Sequence, residues 1–112
     1  MRRLLTLTAL GLMATIAVPV AADAAGTKKC IATFGSNCGE LTMRDGTPKL
    51  YRYGRCQGSK MITVQSERMP RMTGKVIVID QARFTVTKTT SSSISGVWQL
   101  GGPPREKVFI CE

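Results

Sequence analysis

Histidine is absent from this 112-residue chain. That absence removes the commonest general base, the commonest metal ligand and every Ser-His or Cys-His nucleophile pair. Acidic residues are scarce too, seven against sixteen lysines and arginines, for a net charge of +9. Of the acids beyond the first 24 residues, Asp45 and Asp80 read as turn formers, and Glu40, Glu67, Glu106 and Glu112 present no recognisable acid and base flanking a substrate. The chain is therefore expected not to be an enzyme, and to carry neither cofactor nor metal. No Cys-x-x-Cys pair occurs: Cys30, Cys38, Cys56 and Cys111 stand at intervals of 8, 18 and 55 residues, which argues against a four-thiolate zinc site. The apolar run from Leu4 to Val18 has 15 residues, short of the ~20 that a bilayer-spanning helix requires.

What is present begins with a leader. Arg2 and Arg3, that apolar run, and the small residues of Ala22-Asp23-Ala24 have the three parts of a cleavable export signal. Residues 1–24 are expected to be removed, leaving 25–112 as one small domain without a membrane span, in the periplasm or secreted; the short, alanine-rich leader looks bacterial. The remaining 88 of the 112 residues make a domain small enough to need covalent support. Four cysteines in an oxidising compartment supply it as two disulfides, for which three pairings exist. The turn-rich Gly35-Ser36-Asn37 between Cys30 and Cys38 favours pairing those two, which leaves Cys56 with Cys111.

Beyond the leader no long stripe of helical period appears. Short runs rich in Val, Ile, Thr, Phe and Tyr recur instead at roughly ten-residue spacing. The expected strands are 30–34, 40–44, 49–53, 61–66, 75–80, 83–88, 96–100 and 107–111, which predicts an all-β fold, a small antiparallel barrel or sandwich of about eight short strands. Asp45-Gly46 marks one hairpin, because glycine accepts the positive φ of a tight turn, and Asp80-Gln81-Ala82 marks another. Val76-Ile77-Val78-Ile79 is apolar on both parities and is expected to be a central strand covered on both faces, whereas Arg83-Phe84-Thr85-Val86 alternates.

Charge is concentrated between Arg44 and Lys75. Arg44, Lys49, Arg52, Arg55, Lys60, Arg68, Arg71 and Lys75 fall there against only Asp45 and Glu67. On a strand, Lys49, Tyr51, Tyr53 and Arg55 share one face, so two rings between cations could grip a polyanion or a sugar; the alternative is that both tyrosines line the core edge. Two loops stand out as well, Thr89-Thr90-Ser91-Ser92-Ser93 and the stiff Gly101-Gly102-Pro103-Pro104, which presents Arg105 as many inhibitors present a basic side chain to a protease. Met69-Pro70-Arg71-Met72 has a thioether spacing suited to a soft cation, opposed by its own arginines. Gly96-Val97-Trp98 shares Gly-x-Trp with lipocalin-like barrels, and Ser95-Gly96-Val97-Trp98 shares part of the Ser-Gly-x-x-Tyr segment of bacterial inhibitors of animal-type lysozyme. The first motif sits at the wrong end of the chain and the second displaces its aromatic by one, so neither assigns a family.

Together these features predict an exported, non-catalytic binding module. Its partner would be an anionic polymer or an acidic protein surface, engaged through the Arg44–Lys75 region. Because an exported protein meets envelope and host polyanions before nucleic acid, nucleic acid is not the expected partner. The alternative is an inhibitor or other protein-binding domain acting through an exposed loop.

Overall fold

Alternation of apolar and polar residues governs the chain from Thr27 onward and produces nine strands in the computed structural model, which describes residues 26–112. The expected leader, residues 1–24, and its expected cleavage site lie outside the described residues. The strands are β1 (Thr27–Phe34), β2 (Asn37–Arg44), β3 (Thr47–Gln57), β4 (Lys60–Arg68), β5 (Arg71–Thr73), β6 (Val76–Ile79), β7 (Ala82–Thr89), β8 (Ser93–Gln99) and β9 (Arg105–Cys111). Among the described residues no helix is long and apolar enough to cross a membrane.

All nine strands form one curled antiparallel sheet, a half-barrel, in the order β4-β3-β2-β1-β9-β8-β7-β6-β5. The order is a ring in sequence, with the first and last strands paired and the sheet's two edges, β4 and β5, consecutive in the chain. Strand direction then follows by parity. Because β1 and β9 are antiparallel and every hairpin reverses direction, β4 and β5 must run the same way. Met69-Pro70 therefore continues the strand path while transferring it from one edge of the sheet to the other. Pro70, which is buried, has no N–H to extend a ladder, and so suits the point where pairing with β3 stops and pairing with β6 begins. β5 also approaches β3.

Nine strands replace the expected eight or so because β5 is too short to announce itself by periodicity. A second correction concerns Val76–Ile79. Only Ile77 and Ile79 are buried, Val76 and Val78 being half-buried on the convex face, and the strand lies second from an edge. Packing against one concave core, rather than between two layers, explains the difference. The hairpins at Asp45-Gly46 and Asp80 form as expected, both aspartates adopting φ of 53°.

The core lines the concave face. Cys30 and Ala32 of β1, Leu41 and Met43 of β2, Tyr51 of β3, Ile77 and Ile79 of β6, Ala82 and Phe84 of β7, Ile94 of β8 and Phe109 of β9 are all buried. Gly39 is required by this packing, because a Cβ there would collide with the Tyr51 ring. All six aromatic residues join one network, with Phe84 and Phe109 edge-to-face at 5.0 Å between centroids and Trp98 touching Phe34, Tyr51, Phe84 and Phe109.

The disulfides join Cys30 to Cys111 and Cys38 to Cys56, which corrects the expected Cys30–Cys38 and Cys56–Cys111 pairing. The reason is sheet parity. Cys30 lies opposite Leu41 on the concave face, while Cys38 lies opposite Thr33 on the other, so their side chains leave the sheet in opposite directions. Cys30 and Cys111 are register partners on β1 and β9.

Candidate functional site

Three turns and the start of β1 meet at one end of the half-barrel, here the lower end. The β2–β3 turn is tight because Asp45 and Gly46 both take positive φ, 53° and 80°, and the Asp45 N–H donates to the Gly26 carbonyl at 3.1 Å, tying turn to strand. The β7–β8 loop is held by its own hydroxyls: Thr90 Oγ1 and Ser93 Oγ lie 2.8 Å apart, and the Ser92 N–H donates to Thr90 Oγ1. Lys28 Nζ reaches across to donate to the Ser91 carbonyl at 3.0 Å. Between these elements lies a cavity of about 280 Å³, with Met43, Ile77 and Ile94 on its floor and Lys28, Thr89 and Thr90 on its rim.

The cations of this end come from separate stretches of sequence. Arg44 closes β2 opposite Thr27, Lys75 follows the positive-φ Gly74 in the β5–β6 turn, Lys88 pairs with Ser95 near the end of β7, and Arg71 opens β5. Lys49 occupies a bulge, since Pro48 pairs with Met43 and Leu50 with Thr42. Arg44, Lys49, Arg71, Lys75 and Lys88 are exposed, and among the described residues the three ion-pair contacts involve only Arg52 and Arg68 as cations. The lower end thus carries an excess of positive charge, its acids being Asp45, which lines the cavity, and Glu112, which follows the cavity-lining Cys111 and donates its N–H to the Lys29 carbonyl.

The other members of the predicted basic region go elsewhere. Arg52 projects from the convex face, where its Nε donates to Glu40 Oε1 at 3.2 Å and its guanidinium lies 3.9 Å from Glu67. Glu40 is 7% exposed, so Arg52 is the counterion that makes its burial tolerable. Arg68 is bound to Asp80 in the β6–β7 turn, across the seam between β4 and β6. Arg55 and Lys60 lie near the tip of the β3–β4 hairpin, at the upper end.

Tyr51 and Tyr53 do share the concave face, without the flanking cations acting as a set. Tyr51 is buried, and burial, with Tyr53 next to it, pushes its phenol well above the usual tyrosine range. Tyr53 is half-buried, and its hydroxyl accepts a hydrogen bond from Asn37 Nδ2 at 3.0 Å.

No protein-family model, curated protein or solved structure matches the chain. Its function must be read from its own surface.

The upper end is different in kind. A cleft of about 700 Å³ opens there, lined by Phe34, Tyr51, Tyr53, Trp98, Ile79 and Leu100 and rimmed by Ser66, Gln81 and the Arg68–Asp80 pair. Arg105, singled out in the sequence for its loop, belongs to an adjoining groove of about 320 Å³ that shares Phe34, Trp98 and Leu100 with the cleft. Lys28, Lys88 and Lys107 escaped the sequence reading because all three lie outside the Arg44–Lys75 stretch where the charge is concentrated. The available signal was alternation: Arg105, Lys107 and Phe109 fall on one parity, the one that faces inward. Met43 and Met72 line the lower cavity together, whereas Met69 is 78% exposed. Among the described residues no cluster of three or more His, Cys, Asp or Glu could hold a metal ion.

Proposed function

We propose that this is an exported, non-catalytic binding protein that engages an anionic polymer through its lower end. The observation carrying this reading is that Lys28 on the rim of the lower cavity, Lys75 in the β5–β6 turn, and Arg44 and Lys88 on the convex side all stand at the same end of the sheet, with no ion pair among them in the described residues. Arg71 and Lys49 extend the same charge along the seam. Unpaired cations attract a polyanion by releasing its condensed counterions, a driving force that needs no shaped pocket and weakens steeply with salt. Thr89 and Thr90 can donate to the same anionic oxygens. Two disulfides suit an oxidising location, periplasmic or extracellular.

Retention on a sulfated polysaccharide matrix tests the reading. Wild-type protein should bind at low salt and elute in a gradient, and the triple variant Arg44→Ser, Lys75→Ser, Lys88→Ser should elute markedly earlier. Arg52→Ser with Arg68→Ser should elute close to wild type, because both arginines already have carboxylate partners. If the wild type fails to bind, or the two variants shift equally, the lower end is not the site.

A second reading rests on the 101–104 loop. Residues 99–106 are exposed throughout, and Leu100 at the foot of the loop is 56% exposed. An inhibitor-like contact through Leu100 and Arg105 would survive salt that strips a polyanion, since an apolar interface centre is insensitive to screening.

A further inference from the structure

The upper cleft has no part in the lower-end reading, and its chemistry is specific. Phe34, Tyr53 and Trp98 are half-buried, each leaving part of its ring to the cleft. They are held by each other: Phe34 lies 5.0 Å from Trp98 and 6.1 Å from Tyr53, centroid to centroid, with the rings tilted at 54° and 57°. Such a set of fixed, inclined faces binds flat or ring-shaped ligands with little loss of side-chain freedom. The rim supplies both kinds of hydrogen-bonding group, acceptors at Asp80 and Gln81 and donors at Arg68, Ser66 and Gln81.

Charge then selects among ring-shaped ligands. Arg68 and Asp80 cancel each other, which leaves the adjoining groove to set the sign. There Arg105 and Lys107 both line the wall, Lys107 Nζ sitting 4.5 Å above the Phe34 ring while donating to the Thr33 carbonyl at 2.7 Å. Glu106, between them, pairs with Val97 on the opposite face of the sheet. Among the described residues neither Arg105 nor Lys107 forms an ion pair. A neutral aromatic trough thus runs directly into a cationic one.

We propose that the upper cleft binds an acidic oligosaccharide, its sugar rings stacked on Tyr53, Trp98 and Phe34 and its carboxylates directed at Arg105 and Lys107. Sugar rings present one face of C–H groups to the negative face of an aromatic ring and a fringe of hydroxyls to mixed donors and acceptors, which matches the floor and rim. Uronate units spaced along a chain would place charge in the second groove while neutral faces occupy the first. The cleft and the lower end are separate sites at opposite ends of the sheet.

Trp98 is the chain's one tryptophan, so its emission reports on the cleft directly. Titration with trigalacturonate should give a saturable change in that emission, and neutral cellotriose should bind about tenfold more weakly, the scale of one charge-assisted contact. Arg105→Ser, an exposed substitution, should lower affinity for trigalacturonate toward that of cellotriose. Tyr53→Leu should weaken both sugars alike while its circular dichroism stays that of the wild type. The triple variant Arg44→Ser, Lys75→Ser, Lys88→Ser should bind trigalacturonate normally, so that failure at one end is distinguishable from failure at the other. The proposal is overturned by an absent or unsaturable response, by equal affinity for the two sugars, by loss of binding in the triple variant, or by a stronger response to a thymidine trinucleotide than to trigalacturonate.

Discussion

Replacing Cys30 and Cys111 together with alanine should destabilise the protein more than replacing Cys38 and Cys56. The Cys30–Cys111 link spans 81 residues and the Cys38–Cys56 link 18. On the chain-entropy account the long link restrains the unfolded chain by about 4.5 kcal/mol and the short one by about 3 kcal/mol. The short loop is nested inside the long one, which trims the larger figure only slightly. The native state adds to the difference. The β1–β9 joint has just two register pairs, Ile110↔Ile31 and Cys111↔Cys30, against eight between β1 and β2, so the long link stands at the narrowest pairing between the two halves of the sheet. A domain of this size has total stability of about 5–10 kcal/mol, so losing the long link removes a large share of it. Alanine rather than serine avoids burying a hydroxyl at Cys30, which is fully buried. Urea unfolding followed by Trp98 emission measures both variants, and the unfolding slope should rise as the freed chain expands. A loss below about 1 kcal/mol for the long link, or a larger loss for the short one, would refute this account.

Two other predictions test particular contacts. Arg52→Ala strands the carboxylate of Glu40, whose side chain is 10% exposed, and should cost about 1–3 kcal/mol, whereas Arg68→Ala breaks a pair exposed on both sides, 49% and 61%, and should cost under about 1 kcal/mol; equal losses in urea unfolding would contradict the burial argument. Tyr51 bears on the alkaline limb: burial first, then Tyr53, raises its phenol above the ordinary value of 10.0, so the folded chain keeps a proton that the unfolded chain loses. That contribution is fully present below about pH 10 and declines as pH rises further. Tyr51→Phe should therefore flatten the fall of melting temperature above pH 10, lysine deprotonation being common to both proteins, and an unchanged slope would show that Tyr51 does not titrate on unfolding.

Much of the fold was legible because strands write themselves in period two. Phe84 and Val86 alternating with Arg83 and Thr85, and Asp45-Gly46 between two such runs, predict strand, face and hairpin from neighbours alone. β5 was not legible, because three residues carry no period, and Val76–Ile79 misled because an apolar run reads the same whether one face is covered or two. The basic region shows the same limit. Arg52 and Arg68 counted as free cations in the sequence, yet each has a carboxylate brought to it by pairing: Glu40 and Glu67 from adjacent strands and Asp80 from across the seam. Lys28 and Lys88, unremarkable in sequence, come to the same end of the sheet as Arg44 only because turns from three hairpins meet there.

By itself, then, the sequence determined the all-β class, the two hairpin turns, the excess of positive charge and the lack of histidine. These depend on composition or on residues within a few positions of one another. The disulfide partners, the ring-like strand order, the neutralised arginines and the gathering of the exposed aromatic faces at one end were decided by the tertiary structure. Each depends on which strand lies beside which and on which face a residue leaves, and a shift of one residue in register would reverse every such face.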